Sequence, residues 1–154
     1  MNINIIAVGK IREQFIKAGV EEFLKRSQPY SSIKVIEIDA EDLKYDSTKA
    51  MEAEADKILS KLSPQTYVIV MEIQGKQFSS EKFAEKIREI NTSGYNQIVF
   101  IIGGAVGLSS RVKQKADLSL SISNMTFPHQ IARFILLEQI YRAFKIINNE
   151  PYHK

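Results

Sequence analysis

The chain has 154 residues, of which 44% are hydrophobic, so it is long and apolar enough for one compact domain and is not intrinsically disordered. It contains no cysteine, which excludes disulfides, thiolate catalysis and cysteine-ligated zinc. No apolar run reaches the roughly 18 residues of a membrane span, and the first residues lack the features of a signal peptide. We therefore expect a cytoplasmic protein with no membrane partner and no metal site.

The net charge of +3 is unevenly distributed along the chain. Residues 37–56 contain eight acidic residues and two lysines, a net charge of −6, and the other residues together carry +9. Such asymmetry indicates one face that avoids polyanions and another that could accept them. A solvated acidic loop on an ordinary protein would have the same composition, so charge alone leaves nucleic-acid binding open.

Strand and helix patterns alternate along the whole chain. Apolar, often β-branched runs predict strands at residues 2–8, 33–38, 67–73, 98–102 and 118–122. Helical spacing predicts a helix from Arg12 to Pro29, one capped by Asp46 or Ser47, one capped by Ser79 or Ser80, a short one after Ser109, and a long apolar one starting at Pro128. The segment Gln74-Gly75-Lys76 is predicted to turn the chain after the third strand.

Because a helix connects each strand to the next, we expect an α/β fold with a mostly parallel sheet and helices on both faces. The chain has no internal repeat, linker or low-complexity tract, so residues 1–154 should form a single domain. In such open sheets, ligands bind at the carboxyl ends of the strands.

A glycine-rich turn lies at that edge. Gly103-Gly104-x-x-Gly107 follows a buried strand and opens a helix, where glycines let backbone N–H groups approach an anionic ligand. The spacing is neither that of a Walker loop nor that of the dinucleotide fingerprint. A tight strand-to-helix turn would use the same residues, so a ligand site and a plain turn remain alternatives. Met71 and Glu72 should lie at the same edge, although Met71 alone is typical of core packing.

The C-terminal region carries the remaining candidates. His129 is predicted in the first turn of the last helix, in a capping, packing or functional role. Glu138 and Arg142 have i, i+4 spacing, which predicts a surface ion pair worth ~0.3–0.5 kcal/mol or an arginine that faces a phosphate or a partner. In the tail, His153 could accept a proton near neutral pH.

These segments resemble a known family. The stretches 5–10, 71–76, 101–108, 123–130, 137–145 and 151–154 look like the SPOUT-type methyltransferases of the α/β-knot superfamily, and closest to the ribosomal RNA large-subunit methyltransferase H family. The resemblance covers the whole chain and leaves no appended RNA-binding domain. It implies a C-terminal deep trefoil knot, a topology that strand and helix patterns alone would have rejected.

The resemblance also implies a reaction and a cofactor. Family members are homodimers that use S-adenosylmethionine to methylate N3 of a pseudouridine in large-subunit (23S) ribosomal RNA, on the assembled ribosome. Carried onto this sequence, the cofactor contacts are Met71, Gly103, Ile122, Ser123, Asn124, Met125, Thr126 and Phe127, with leucine often replacing methionine at the first of these. The implied homodimer packs through the long last helix.

The catalytic residues are less clearly marked. His153 is the first candidate for the base that removes the N3 proton, with Tyr152 and Arg142 orienting the target base or neutralising the developing anion, and Glu138 as an alternative base. Candidate phosphate contacts are Arg111, Lys113, Lys115, Arg133 and Lys154.

Two other hypotheses use the same observations. One is an enzyme that binds a nucleotide or sugar phosphate at the glycine turn, which the missing lysine after the glycines weakens. The other is a non-catalytic, ribosome-associated dimer, which would need the basic face but no cofactor cavity.

Overall fold

The computed structural model describes residues 1–41 and 46–154. Within them, strands and helices alternate in the predicted order: β1 Asn2–Val8, α1 Gln14–Ser27, β2 Ser32–Ile38, α2 Ser47–Leu59, β3 Thr66–Gln77, α3 Ser80–Thr92, β4 Gln97–Ile102, α4 Ser110–Gln114, β5 Leu118–Ser121 and α5 His129–Ile147. The five strands form one sheet in the order β2-β1-β4-β3-β5. Every pairing between neighbouring strands is parallel, which confirms the predicted α/β class.

The two faces of the sheet bury different side chains because successive residues of a strand point to opposite sides. In β4, Phe100 packs toward a core that also contains apolar residues of α1, α3 and α5. Its neighbour Ile101 packs toward a second core with residues of α2 and α4. Helices therefore cover both faces, which explains why the central strands are continuous apolar runs.

Local capping fixes where several helices begin. The Asp46 side chain accepts a hydrogen bond from the backbone N–H of Thr48 at 2.9 Å, so it caps α2. Ser79 caps α3 by accepting from Lys82 at 3.1 Å, and Ser109 caps α4. These bonds decide between the two candidates predicted for α2 and for α3. Part of the predicted acidic loop, residues 42–45, lies outside the described residues.

The predicted turn at Gln74-Gly75-Lys76 is wrong. β3 continues through it to Gln77, and the register of its pairing with β5 shifts between Met71 and Lys76, both of which pair with Leu120. Residues 72–75 therefore arch away from the ladder and return to it. A Cβ on Gly75 would lie 2.7 Å from the Ser119 carbonyl carbon, so the glycine permits a close approach of two strands rather than a reversal.

Candidate functional site

A cavity of about 300 Å³ lies where β3, β4 and β5 end, and the start of α5 closes it. Its lining includes seven of the eight residues predicted to contact a cofactor: Met71, Gly103, Ile122, Ser123, Met125, Thr126 and Phe127. The parallel sheet brings these residues together, because the carboxyl ends of all its strands meet at one edge.

Asn124, the eighth predicted contact, does not line the cavity. Its side-chain oxygen accepts a hydrogen bond from the Gln77 amide at 2.8 Å, which ties the loop after β5 to the end of β3. The same loop is held internally, since the Ser123 hydroxyl accepts from the Met125 backbone N–H at 3.0 Å. The Met125 side chain is 73% exposed at the rim of the cavity.

The glycine turn forms one wall of the cavity and is very tight. The Gly107 N–H donates to the Gly104 carbonyl at 3.0 Å, and Gly107 has a φ of +77°. A Cβ on Gly103 would lie 3.0 Å from Leu108 Cγ, and one on Gly104 would lie 2.9 Å from Val8 Cγ1. The glycines thus make a tight turn whose backbone also faces the cavity.

The cavity contains an ion pair that the sequence did not predict. Glu72 in the arch of β3 and Lys113 in α4 both line the cavity, and their side chains meet at 2.8 Å. The sequence predicts Glu72 at the edge of the sheet and Lys113 as a phosphate contact, and neither prediction indicates that the two side chains meet. His129 and Ala132 of α5 complete this side of the lining.

The C-terminal tail packs against α3 and α5, and none of Arg142, Tyr152 or His153 is among the residues that line this cavity. Arg142 pairs with Glu138, which is one of the two alternatives that their spacing predicted, although both side chains are half-buried rather than at the surface. Arg142 Nη1 also lies 3.1 Å from His153 Nδ1, and His153 Nε2 lies 2.7 Å from a carboxylate oxygen of Glu81. Because a guanidinium can only donate, Nδ1 is the accepting nitrogen and the proton sits on Nε2, where it is donated to Glu81.

These contacts shift the pKa of two groups in the tail network. The hydrogen bond from His153 lowers the pKa of Glu81 below its usual value. Burial, together with the charge of the Glu138 carboxylate to which the phenol donates at 3.1 Å, raises the pKa of Tyr152. Tyr152 is therefore a neutral phenol near pH 7, suited to donating a hydrogen bond rather than to accepting a proton.

A second cavity, of about 260 Å³, adjoins the first. It shares the side chains of Met71, Leu120 and Ile122 with the first cavity. Its other side includes Ser80 and Gln139, which are joined by a hydrogen bond of 2.8 Å. The Gln139 amide in turn donates to Glu138 at 2.7 Å, so a chain of hydrogen bonds runs from this cavity to the tail.

Besides Lys113, two other predicted phosphate contacts already have carboxylate partners. Arg133 is only 1% exposed, and its guanidinium donates to Glu37 at 2.8 Å and to the Gly9 carbonyl at 3.1 Å. Arg111 pairs with Glu52 at 2.8 Å and with Asp56 at 2.6 Å, so carboxylates of α2 already balance its positive charge. Lys115 and Lys154 are exposed, as predicted.

Within residues 1–41 and 46–154, no helix is both long and apolar enough to cross a membrane. The same residues contain no cluster of three or more histidine, aspartate or glutamate side chains that could hold a metal ion.

Comparison with known proteins identifies the family. The family described as "Predicted SPOUT methyltransferase" matches residues 1–153. This chain belongs to the SPOUT methyltransferase family. Proteins named "Ribosomal RNA large subunit methyltransferase H" are 49% identical in Carboxydothermus hydrogenoformans and 50% identical in Halothermothrix orenii and Finegoldia magna, each match covering all of both chains.

A solved structure supports the fold of this SPOUT methyltransferase. A probable methylase family protein from Haemophilus influenzae superposes on 99% of this chain and 70% of its own, with a TM-score of 0.60 and 16% identity. At that identity the likeness concerns the fold alone. Family membership supports the methyltransferase hypothesis over the phosphate-binding enzyme and the non-catalytic dimer.

Proposed function

We propose that this SPOUT methyltransferase acts in the cytoplasm on the assembled ribosome and methylates N3 of a pseudouridine in large-subunit ribosomal RNA. The observation that carries the proposal is the full-length identity of about 50% to relatives named ribosomal RNA large subunit methyltransferase H. The position of the cavity at the carboxyl edge of the sheet is consistent with it.

The chemistry of the cavity fits S-adenosylmethionine. The side chains of Met71, Leu120 and Ile122 provide an apolar wall for an adenine ring, and the backbone of the glycine turn offers polar groups at short range. Glu72 and Lys113 provide one negative and one positive group for the charged ends of an amino acid moiety. When bound, the cofactor supplies a methyl group already activated by the sulfonium charge, so the protein mainly has to position the acceptor.

The second cavity is the natural place for the acceptor ring, since it shares a wall with the first and is connected by hydrogen bonds to the tail. N3 of the target carries an imide proton that has to be removed, which a nearby base would assist. In our proposal His153 Nδ1 accepts that proton once Arg142 turns its donor toward the developing anion. Glu138, which accepts from both Arg142 and Tyr152, is the alternative base.

We also propose that the functional unit is a homodimer, as the resemblance of the sequence implies. Half-buried Ile131 and Ile135 on α5, with the exposed side chains of Phe15 and Met125, provide apolar surface for such an interface.

Mixed dimers would decide which subunit the tail serves. Gly103→Val disables the cofactor cavity and His153→Ala disables the tail, so each homodimer should be inactive. If the tail acts across the interface, heterodimers of the two variants regain one intact site. Mixed dimers, verified by mass spectrometry, that remain inactive would show that each tail serves its own subunit.

We further propose that the segment after β5 passes through the loop that precedes it and forms a trefoil knot. Two observations support this path. The arch of residues 72–75 and the close approach of Gly75 to the β5 backbone both bring the end of β3 back against β5.

The function is tested by incubating the protein with a methyl-labelled cofactor and assembled ribosomes from cells that lack the modification. We expect label at one pseudouridine of the ribosomal RNA and saturable binding of S-adenosylhomocysteine by calorimetry. Cofactor binding without label in the ribosomal RNA would overturn the proposed substrate, and the absence of cofactor binding by folded protein would overturn the proposed reaction.

A further inference from the structure

The short loop between β1 and α1, residues 9–13, presents two exposed cations at the carboxyl edge of the sheet. Lys10 and Arg12 are both exposed. Among the described residues, no acidic side chain forms an ion pair with either of them. They differ in this respect from Arg111, Lys113 and Arg133, whose charges are already matched by carboxylates.

Hydrogen bonds from distant parts of the chain hold this loop in place. The buried guanidinium of Arg133 donates to the Gly9 carbonyl at 3.1 Å, and the Gln130 side chain accepts from the Arg12 backbone N–H at 2.9 Å. Glu37 accepts from the Ile11 backbone N–H at 3.3 Å. A loop tethered from both α5 and β2 loses little further conformational freedom when its side chains bind a partner.

The same tethers place the loop beside the cofactor cavity. Arg12 is bonded to Gln130, whose neighbour His129 lines the cavity. On the other side, Val8 at the end of β1 packs against Gly104 of the glycine turn, also in the cavity wall. The loop therefore lies next to residues of two walls of the proposed active site.

The charges around the loop favour a polyanion. Glu37, whose carboxylate accepts from the loop backbone, is already paired with Arg133 at 2.8 Å. Asp39, which follows the Ile38 carbonyl that accepts from the Gly9 N–H, is an exposed carboxylate at the end of β2. Glu13, the N-cap of α1, lies at the positive end of that helix, where its charge is partly compensated. Lys17, one turn into α1, adds a further exposed cation.

We propose that the β1–α1 loop binds the phosphate backbone of the ribosomal RNA next to the target nucleotide, with Lys10 and Arg12 as the contacting cations. The inference rests on the proposed function and adds the surface by which the substrate is held. Cations that contact phosphates release counterions from RNA, and this makes binding weaken as salt concentration rises.

Charge reversal with a matched control tests this proposal. The variant Lys10→Glu/Arg12→Glu and the control Lys61→Glu/Arg88→Glu change the net charge equally, and the control residues are exposed on α3 and just after α2, away from the loop. We expect the loop variant to bind assembled ribosomes about 10-fold or more weakly, with a log–log salt dependence shallower by about 1 to 2. The control should stay within about 3-fold of wild type.

Three outcomes separate the possible failures. Both variants should keep wild-type affinity for S-adenosylhomocysteine, because neither changes a residue of the cavity lining. Wild-type protein that neither binds nor methylates assembled ribosomes would overturn the proposed function. Wild-type protein that does both, while the loop variant matches the control, would overturn only the role of the loop.

The absence of cysteine allows a second, direct test. Arg12→Cys and the control Lys61→Cys can each carry one photo-crosslinker at a single site. We expect crosslinks from position 12 to large-subunit ribosomal RNA and none from position 61. Crosslinks from position 12 confined to a ribosomal protein would overturn the assignment to RNA phosphates.

Discussion

The backbones of Gly75 in β3 and Leu120 in β5 approach each other so closely that a Cβ on the glycine would lie 2.8 Å from the Leu120 nitrogen. Leu120 pairs with both Met71 and Lys76, so β3 leaves β5 and returns to the same residue. The four residues between these two pairings include Glu72, Ile73 and Gln74 of the cavity wall. The close contact at Gly75 therefore closes the arch that shapes the first cavity, the proposed cofactor site.

Replacing Gly75 by alanine should damage both stability and cofactor binding. The added methyl group meets backbone atoms that cannot rotate away, so we expect a loss of about 1–3 kcal/mol in the free energy of unfolding. S-adenosylhomocysteine should bind at least about 10-fold more weakly at a temperature where the variant is folded. Chemical denaturation and calorimetry measure the two effects.

Gly94→Ala provides the control for that substitution. Gly94 has a φ of +86°, but a Cβ added there would meet no atom within 4 Å, so its replacement introduces backbone strain without a clash. We expect a loss of about 1 kcal/mol in the free energy of unfolding and unchanged cofactor affinity. Equal cofactor affinity in the Gly75 and Gly94 variants would contradict the role of the arch.

Gly103→Val should abolish cofactor binding while leaving most of the fold intact. A Cβ at this position already meets Leu108 Cγ at 3.0 Å and the Gly107 carbonyl carbon at 3.1 Å, so valine must displace the glycine turn or fill the cavity. Circular dichroism checks the fold, and titration with S-adenosylhomocysteine should give an affinity reduced by about 100-fold or more. Unchanged affinity in a folded variant would argue strongly against the proposed cofactor site.

The order and type of the elements could be predicted from sequence because each strand and helix carries its own periodicity. A turn was wrongly predicted at Gly75 because glycine is locally typical of turns. The glycine is needed there because the backbone of β5, 45 residues later in the chain, packs against it. Arg133 was predicted to be a phosphate contact because its partner Glu37 is 96 residues away. The tail likewise depends on Glu81, which is 72 residues from His153. Such distant pairings leave no local pattern.

Tyr152 should ionise at higher pH than an ordinary tyrosine, because burial and the Glu138 carboxylate both raise its pKa. The difference in phenolate absorbance between wild type and Tyr152→Phe isolates this residue from the other five tyrosines during an alkaline titration. In Glu138→Gln, which removes the negative charge, the pKa of Tyr152 should fall toward its usual value. A pKa unaffected by that substitution would mean that Glu138 does not act on the phenol.

Because His153 contacts Glu81, the tail should be anchored less strongly at acid pH than at neutral pH. The hydrogen bond lowers the pKa of Glu81 in the folded protein below its ordinary value of 4.5. Folding therefore favours the ionised carboxylate, and the resulting stability is fully present above the pKa of the unfolded chain and is lost as pH falls through the folded pKa. Glu81→Gln should thus be less stable than wild type at neutral pH, with a difference that shrinks below about pH 4.

The matched control for that experiment is Glu89→Gln, on the same helix. Glu89 is exposed and lies 3.6 Å from Lys86, a surface pair that should contribute at most about 1 kcal/mol. Urea denaturation from pH 3 to pH 7 gives the difference between each variant and wild type. A constant difference for Glu81→Gln across this range would show that the carboxylate charge does not hold the tail. A difference that shrinks in acid for Glu81→Gln alone would identify the ionised Glu81 as the anchor that keeps His153 beside Arg142.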